Sequence, residues 1–211
     1  MNKTTAWLKI IKVALIVSVA FSVLSLLMEY LYVDNMITTG VDPLGDESQW
    51  SLELIMTYIG LSFVTVLATI FLLVATIGFM FRASQWTKDI EPTSLKGKPG
   101  IIIAAYFVPV ASIVIPFMYM TSMNTVGGGS DSEKATTKKL LILQTVLAAG
   151  SYVVGGNSLV DTLFGPETQT IQELIDASWR VIASGALDVA SMVVLYFLVI
   201  RLFNGLSKRA H

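Results

Sequence analysis

The chain has no cysteine, and its single histidine, His211, is the last of 211 residues. The first absence excludes disulfides, thiolate metal ligands and a cysteine nucleophile; the second leaves no imidazole within the apolar sequence for acid–base catalysis or metal binding. Charge is scarce as well: 14% of residues are Asp, Glu, Lys or Arg, against about 25% in ordinary soluble domains, while 54% are hydrophobic. A net charge of −1 gives no surplus of Lys and Arg to neutralise phosphates, so nucleic acid is not an expected partner. The run Gly127-Gly128-Gly129-Ser130 lacks the Gly-x-x-x-x-Gly-Lys-Ser/Thr spacing of a nucleotide cradle, and no serine stands in a Gly-x-Ser-x-Gly elbow. These gaps point away from an enzyme and from cofactor, metal or nucleotide binding.

What is present is long apolar sequence. A transmembrane helix needs about 20 mostly apolar residues. Stretches at about 8–32, 52–81, 140–157 and 181–203 approach or exceed that length, and a fifth lies at 101–120. The reading is an all-α integral membrane protein, a single domain over 1–211 with four transmembrane helices plus a proline-broken fifth segment that re-enters or kinks. Lys3, Lys9 and Lys12 before the first stretch imitate a secretory leader, but the apolar run continues through Tyr32 without a polar cleavage region, so it reads as a retained span.

Loop charges orient the spans. No Lys or Arg lies between Lys12 and Arg82, and the connection after the first span carries Glu29, Asp34, Asp42, Asp46, Glu47 and Glu53. Arg82, Lys88, Lys96 and Lys98 follow the second span and, by the positive-inside rule, belong in the cytoplasm. A full crossing by 101–120 would put Lys134, Lys138, Lys139, Arg201, Lys208 and Arg209 outside. If that segment enters and returns, every Lys and Arg except Arg180 is cytoplasmic, as are both termini. Pro109 and Pro116 supply a local cause, since an interior helical proline costs roughly 3 kcal/mol; the alternative is a span kinked at proline. Beyond Gly165, Pro166 and Glu167 suit a first helical turn, and Ile171, Leu174, Ile175 and Trp179 share one face, which predicts an external amphipathic helix over about 166–179.

Asp188 is the acidic residue set well inside an apolar span, where charged groups usually face the bundle interior and find a partner. Burial would favour its neutral acid, giving a proton or cation site; the structural reading is that it locks helices together through Gln144, Tyr58 or a carbonyl. Ser62, Thr65, Thr69 and Thr76, with Ser18, Ser22 and Ser25 on the first span, form hydroxyl stripes that read first as helix packing and second as a polar conduit.

Phe81-Arg82-Ala83 at the end of the second span, Phe107-Val108-Pro109, Pro116 seven residues later, and Val199-Ile200-Arg201-Leu202 before a basic tail together resemble an uncharacterised bacterial membrane family, domain of unknown function 4328. Arg82, Pro109 and Pro116 carry that resemblance; Trp86 and Ser112 stand where the family usually has asparagine. The resemblance implies a bacterial inner membrane and no known activity. Two functional readings follow: a non-catalytic scaffold or accessory subunit, or a small transporter or channel using Asp188. Expected partners are membrane lipids, with another protein or a second copy as further candidates.

Overall fold

The computed structural model describes residues 2–44, 50–95, 98–106, 108–164 and 170–210. Among them are six helices and no strand: α1 (Asn2–Thr39), α2 (Leu52–Ile90), α3 (Ile101–Ala105), α4 (Pro109–Val126), α5 (Asp131–Phe164) and α6 (Ile171–Ala210).

Local chemistry sets the helix ends. Gly40 closes α1 in the left-handed region at φ 70°, and its N–H donates to the Met36 carbonyl at 2.9 Å. Ser51 Oγ accepts the Leu54 N–H at 3.3 Å ahead of α2, and α2 stops just before Glu91-Pro92, where a proline disfavours helix in the residue preceding it. Both α5 and α6 open on reciprocal caps. Glu133 Oε2 accepts the Ser130 N–H at 2.9 Å while Ser130 Oγ accepts the Glu133 N–H at 3.2 Å, and Thr170 and Glu173 repeat the pattern at 2.8 and 3.3 Å.

Among the described residues three helices are long and apolar enough to cross a membrane, over Thr4–Thr39, Leu52–Ile90 and Ile171–Arg209. That is fewer than the expected four spans plus a fifth segment. The predicted span at 140–157 lies within α5, whose described part opens on Lys134, Lys138 and Lys139 and carries Gln144, Gly150 and Ser151, which dilute its apolar character. The 101–120 segment is divided between α3 and α4. Pro109 is the first residue of α4, where a missing N–H removes no helical bond, and Pro116 sits buried inside α4 without ending it. α3 and α4 pack on each other, and Tyr119 OH donates to the Lys98 carbonyl at 3.1 Å, so α4 turns back alongside α3 as a hairpin.

The amphipathic helix expected over about 166–179 falls partly outside the described residues. Pro166 and Glu167 lie outside the described residues, and from Ile171 the chain is one continuous helix. Its apolar face is not left at an interface: Ile171, Leu174 and Ile175 pack on a core of Tyr32, Val33, Met36 and Trp50. Trp179 remains exposed, its ring edge-on to Tyr30 at 6.3 Å.

The helices form two compact units. Unit 1 comprises Met1–Ile16, Ile70–Val146 and Ser191–His211; unit 2 comprises Val17–Thr69 and Leu147–Ala190. α3 and α4 belong wholly to unit 1, whereas α1, α2, α5 and α6 each contribute to both. The core of unit 1 is built on Ile11, Leu15, Phe79, Met80, Ile102, Met123, Leu141, Leu198 and Leu202. Within it Gly78 lies directly beneath the Trp7 ring, leaving no room for a side chain. The core of unit 2 is the Tyr32–Trp50 cluster. Outside both cores the surface stays apolar: Phe63 is 64% and Val153 77% exposed, with Val13, Ile16, Leu27, Val66 and Ile70 also outward. An outer surface of this kind matches hydrocarbon rather than water.

Candidate functional site

In unit 2, Tyr58 OH donates to Glu29 Oε2 at 2.7 Å and Tyr32 OH donates to Asp42 Oδ1 at 2.8 Å. The two phenol rings stack at 5.6 Å, and Trp50 packs edge-on to each at 5.9 Å. This cluster satisfies Glu29, which is itself buried. Ser151 and Ser184 pair at 3.2 Å, and Gly155 lies so close to Ser184 that a Cβ would collide with its hydroxyl. Asp188 is exposed on α6. Its helical stripe continues at intervals of three, seven and fourteen residues through Ser191, Leu195 and Leu202, all buried, so the exposure begins where the stripe reaches Asp188. In unit 1, Gln144 Nε2 donates to Ser191 Oγ at 3.5 Å. Gln144 and Tyr58 are thus each bonded to a residue other than Asp188.

The hydroxyl stripes pack helices. Ser18 Oγ reaches from α1 to the Ala68 carbonyl of α2 at 3.0 Å, and Thr65 Oγ1 lies 3.4 Å from the Phe21 carbonyl. Ser62, Thr69 and Thr76 return their protons to carbonyls four residues earlier in their own helix.

The residues that carried the resemblance lie in unit 1. Arg82 Nη1 donates to Gln85 Oε1 at 2.9 Å with its guanidinium 5.7 Å from the Phe81 ring, and Ala83 is fully buried behind it. Trp86 packs on Phe203 with ring centroids 5.6 Å apart. Phe107 lies outside the described residues.

Sequence reasoning missed a cleft in unit 1. It has a volume of ≈ 560 Å³ and lies among the end of α4, the start of α5 and the last turns of α6. Its walls include Lys134, Arg201 and Lys208, with Glu133 as the single acidic group. Lys208 Nζ pairs with Glu133 Oε1 at 2.9 Å, and Lys134 Nζ donates to the Thr125 carbonyl at 3.0 Å. Lys208, together with the Ser130 N–H, holds the Glu133 carboxyl below the usual glutamate range. Glycine makes the close approach possible. Gly128 N–H donates to the Gly205 carbonyl at 2.7 Å, and a Cβ on Gly127 would stand 3.1 Å from Gly205 backbone carbon. The readable signal was a glycine triplet followed by Ser-x-x-Glu and matched to a glycine near a basic tail. Nothing in the local sequence pairs position 128 with position 205.

Among the described residues no group of three or more His, Cys, Asp or Glu is arranged to hold a metal ion. No curated protein and no solved structure matches the chain. The model of the domain of unknown function DUF4328 matches residues 47–205, which takes in α2 to α5 and most of α6. The chain therefore belongs to the DUF4328 family, and three of its described helices are long and apolar enough to cross a membrane.

Proposed function

We propose that the chain is a bacterial inner-membrane protein acting as a non-catalytic scaffold or accessory subunit. In this reading α1, α2, α5 and α6 cross the bilayer, α3 and α4 form a re-entrant hairpin on the cytoplasmic side, and both termini are cytoplasmic. Support for the topology comes from charge. Among the described residues Arg180 is the single Lys or Arg of unit 2, while Asp89, Glu91, Asp131 and Glu133 are the acidic residues of unit 1. Such a partition follows the positive-inside rule when the loops of unit 1 face the cytoplasm.

The observation that carries the scaffold reading is the use made of intramembrane polar groups. Ser18, Thr65, Tyr58, Gln144, Ser151 and Ser184 are bonded to neighbouring helices, so they serve association rather than line a path. The apolar outer surface leaves area for protein as well as lipid. A second reading, a small transporter or channel, is favoured by Asp188, an acidic residue exposed on α6 one turn before buried Ser191. Reconstitution into liposomes separates the two. The scaffold reading expects no proton or cation flux above empty vesicles, and no change with Asp188→Asn. Flux that the wild type supports and Asp188→Asn abolishes, in a protein that still folds, would establish the transporter.

A further inference from the structure

The cleft of unit 1 concentrates positive charge in a chain whose net charge is −1. Three cations line it, and their hydrogen-bonding capacity is far from used. An ammonium has three N–H donors, and among the described residues Lys134 spends one on Thr125 and Lys208 one on Glu133. Arg201 is exposed at the cleft wall with a planar fork suited to paired oxygens. Glu133 neutralises a single charge and is also held by the Ser130 N–H, so it keeps a partner if Lys208 turns to another anion. The backbone around the cleft is fixed by the Gly128–Gly205 hydrogen bond, so the cations stand on a braced frame rather than on a free loop.

We infer that this cleft binds a phosphate-bearing anion, held by Lys134, Arg201 and Lys208, and that in the membrane the phosphate is the head group of an anionic phospholipid. Phosphate chemistry rests on the cleft alone. The lipid as its source rests on the cytoplasmic placement of unit 1: Lys134 then precedes the hydrocarbon part of α5 and Lys208 follows that of α6, which puts both ammoniums at head-group depth. Basic pockets between helices at the cytoplasmic leaflet take head groups of this kind.

The test uses the full chain purified in a neutral detergent. Retention of phosphatidylglycerol against phosphatidylcholine is read by native mass spectrometry, and inorganic phosphate is titrated separately while the melting temperature is followed. The wild type is expected to retain phosphatidylglycerol preferentially; Lys134→Gln/Arg201→Gln should lose about tenfold or more of that preference, since each cation near a lipid surface contributes about fivefold. Lys9→Gln, outside the cleft, should not. Arg201→Gln alone guards against misfolding of the double variant, because Arg201 is exposed. A melting temperature raised by inorganic phosphate without lipid preference would support the site and assign it a soluble phosphate. Binding of neither, or lipid preference unchanged in a folded Arg201→Gln, would overturn it. Failure of the cytoplasmic placement is a separate event, detected by labelling from outside the cell and not by this assay.

Discussion

Gly127 and Gly128 decide how closely the end of α4 meets α6. A methyl group on Gly127 would sit 3.1 Å from backbone carbon of Gly205, and backbone cannot rotate away as a side chain can. Gly127→Ala is expected to destabilise the protein by about 1–3 kcal/mol, the usual cost of overpacking, seen as a lower melting temperature in detergent. Gly60→Ala is the contrasting case: nothing lies within 4 Å of the added carbon, and alanine is the better helix former by up to about 1 kcal/mol, so stability should hold or rise. The cap of α5 adds a pH dependence. Hydrogen bonds hold Glu133 below the usual glutamate range, chiefly through Lys208 and then through the Ser130 N–H. A depressed folded value means that the cap contributes fully above the unfolded range near about pH 4.3 and is lost as pH falls through the lower folded value. Exchange protection of the Ser130 and Glu133 amides should therefore fall at acid pH, and Glu133→Gln should remove that dependence. At this scale the sequence was readable only in part. Ser130-x-x-Glu133 and Thr170-x-x-Glu173 are cap signatures in plain view, whereas the partners of Tyr58 and Gln144 depend on which helix faces meet.

Among elements, the α3–α4 hairpin departs furthest from a simple span. Its two prolines were legible, and the chain breaks immediately before the first; Pro116 was the weaker signal, since α4 continues through it. Sequence could not show that α4 returns, because that rests on the contact between Tyr119 and the Lys98 carbonyl across 21 positions. Tyr119→Phe removes that one hydrogen bond while keeping the buried ring. The expected cost is about 0.5–1.5 kcal/mol, located at the hairpin: amide exchange over residues 98–106 should quicken while α6 is unaffected. Exchange that rises equally in α6 would mean that the hairpin is not a separate element. In α6 the amphipathic turns lead into the last span with no break from Ile171 on. The first turns are amphipathic and the later ones broadly apolar, and the backbone runs through this change of pattern.

For the whole molecule, composition foretold the surface better than the number of spans. Exposed Phe63, Val66, Ile70 and Val153 are what 54% hydrophobic sequence produces once two small cores are filled. Counting crossings is harder, since α5 begins with three lysines and carries Gln144, and so falls between a span and a partly polar helix. Charge separates the alternatives where hydropathy does not. With α3 and α4 returning, α5 starts in the cytoplasm and its lysines obey the positive-inside rule; with a full crossing they stand outside beside Arg201, Lys208 and Arg209. The natural lack of cysteine makes the test clean, because a single introduced thiol is the only one present. Thr38→Cys and Thr136→Cys are both at exposed positions. On intact cells a membrane-impermeant maleimide should label Thr38→Cys and leave Thr136→Cys unlabelled until the membrane is permeabilised. Labelling of Thr136→Cys from outside would require a fifth crossing and remove the cytoplasmic head-group position of Lys134, whether or not the cleft binds phosphate.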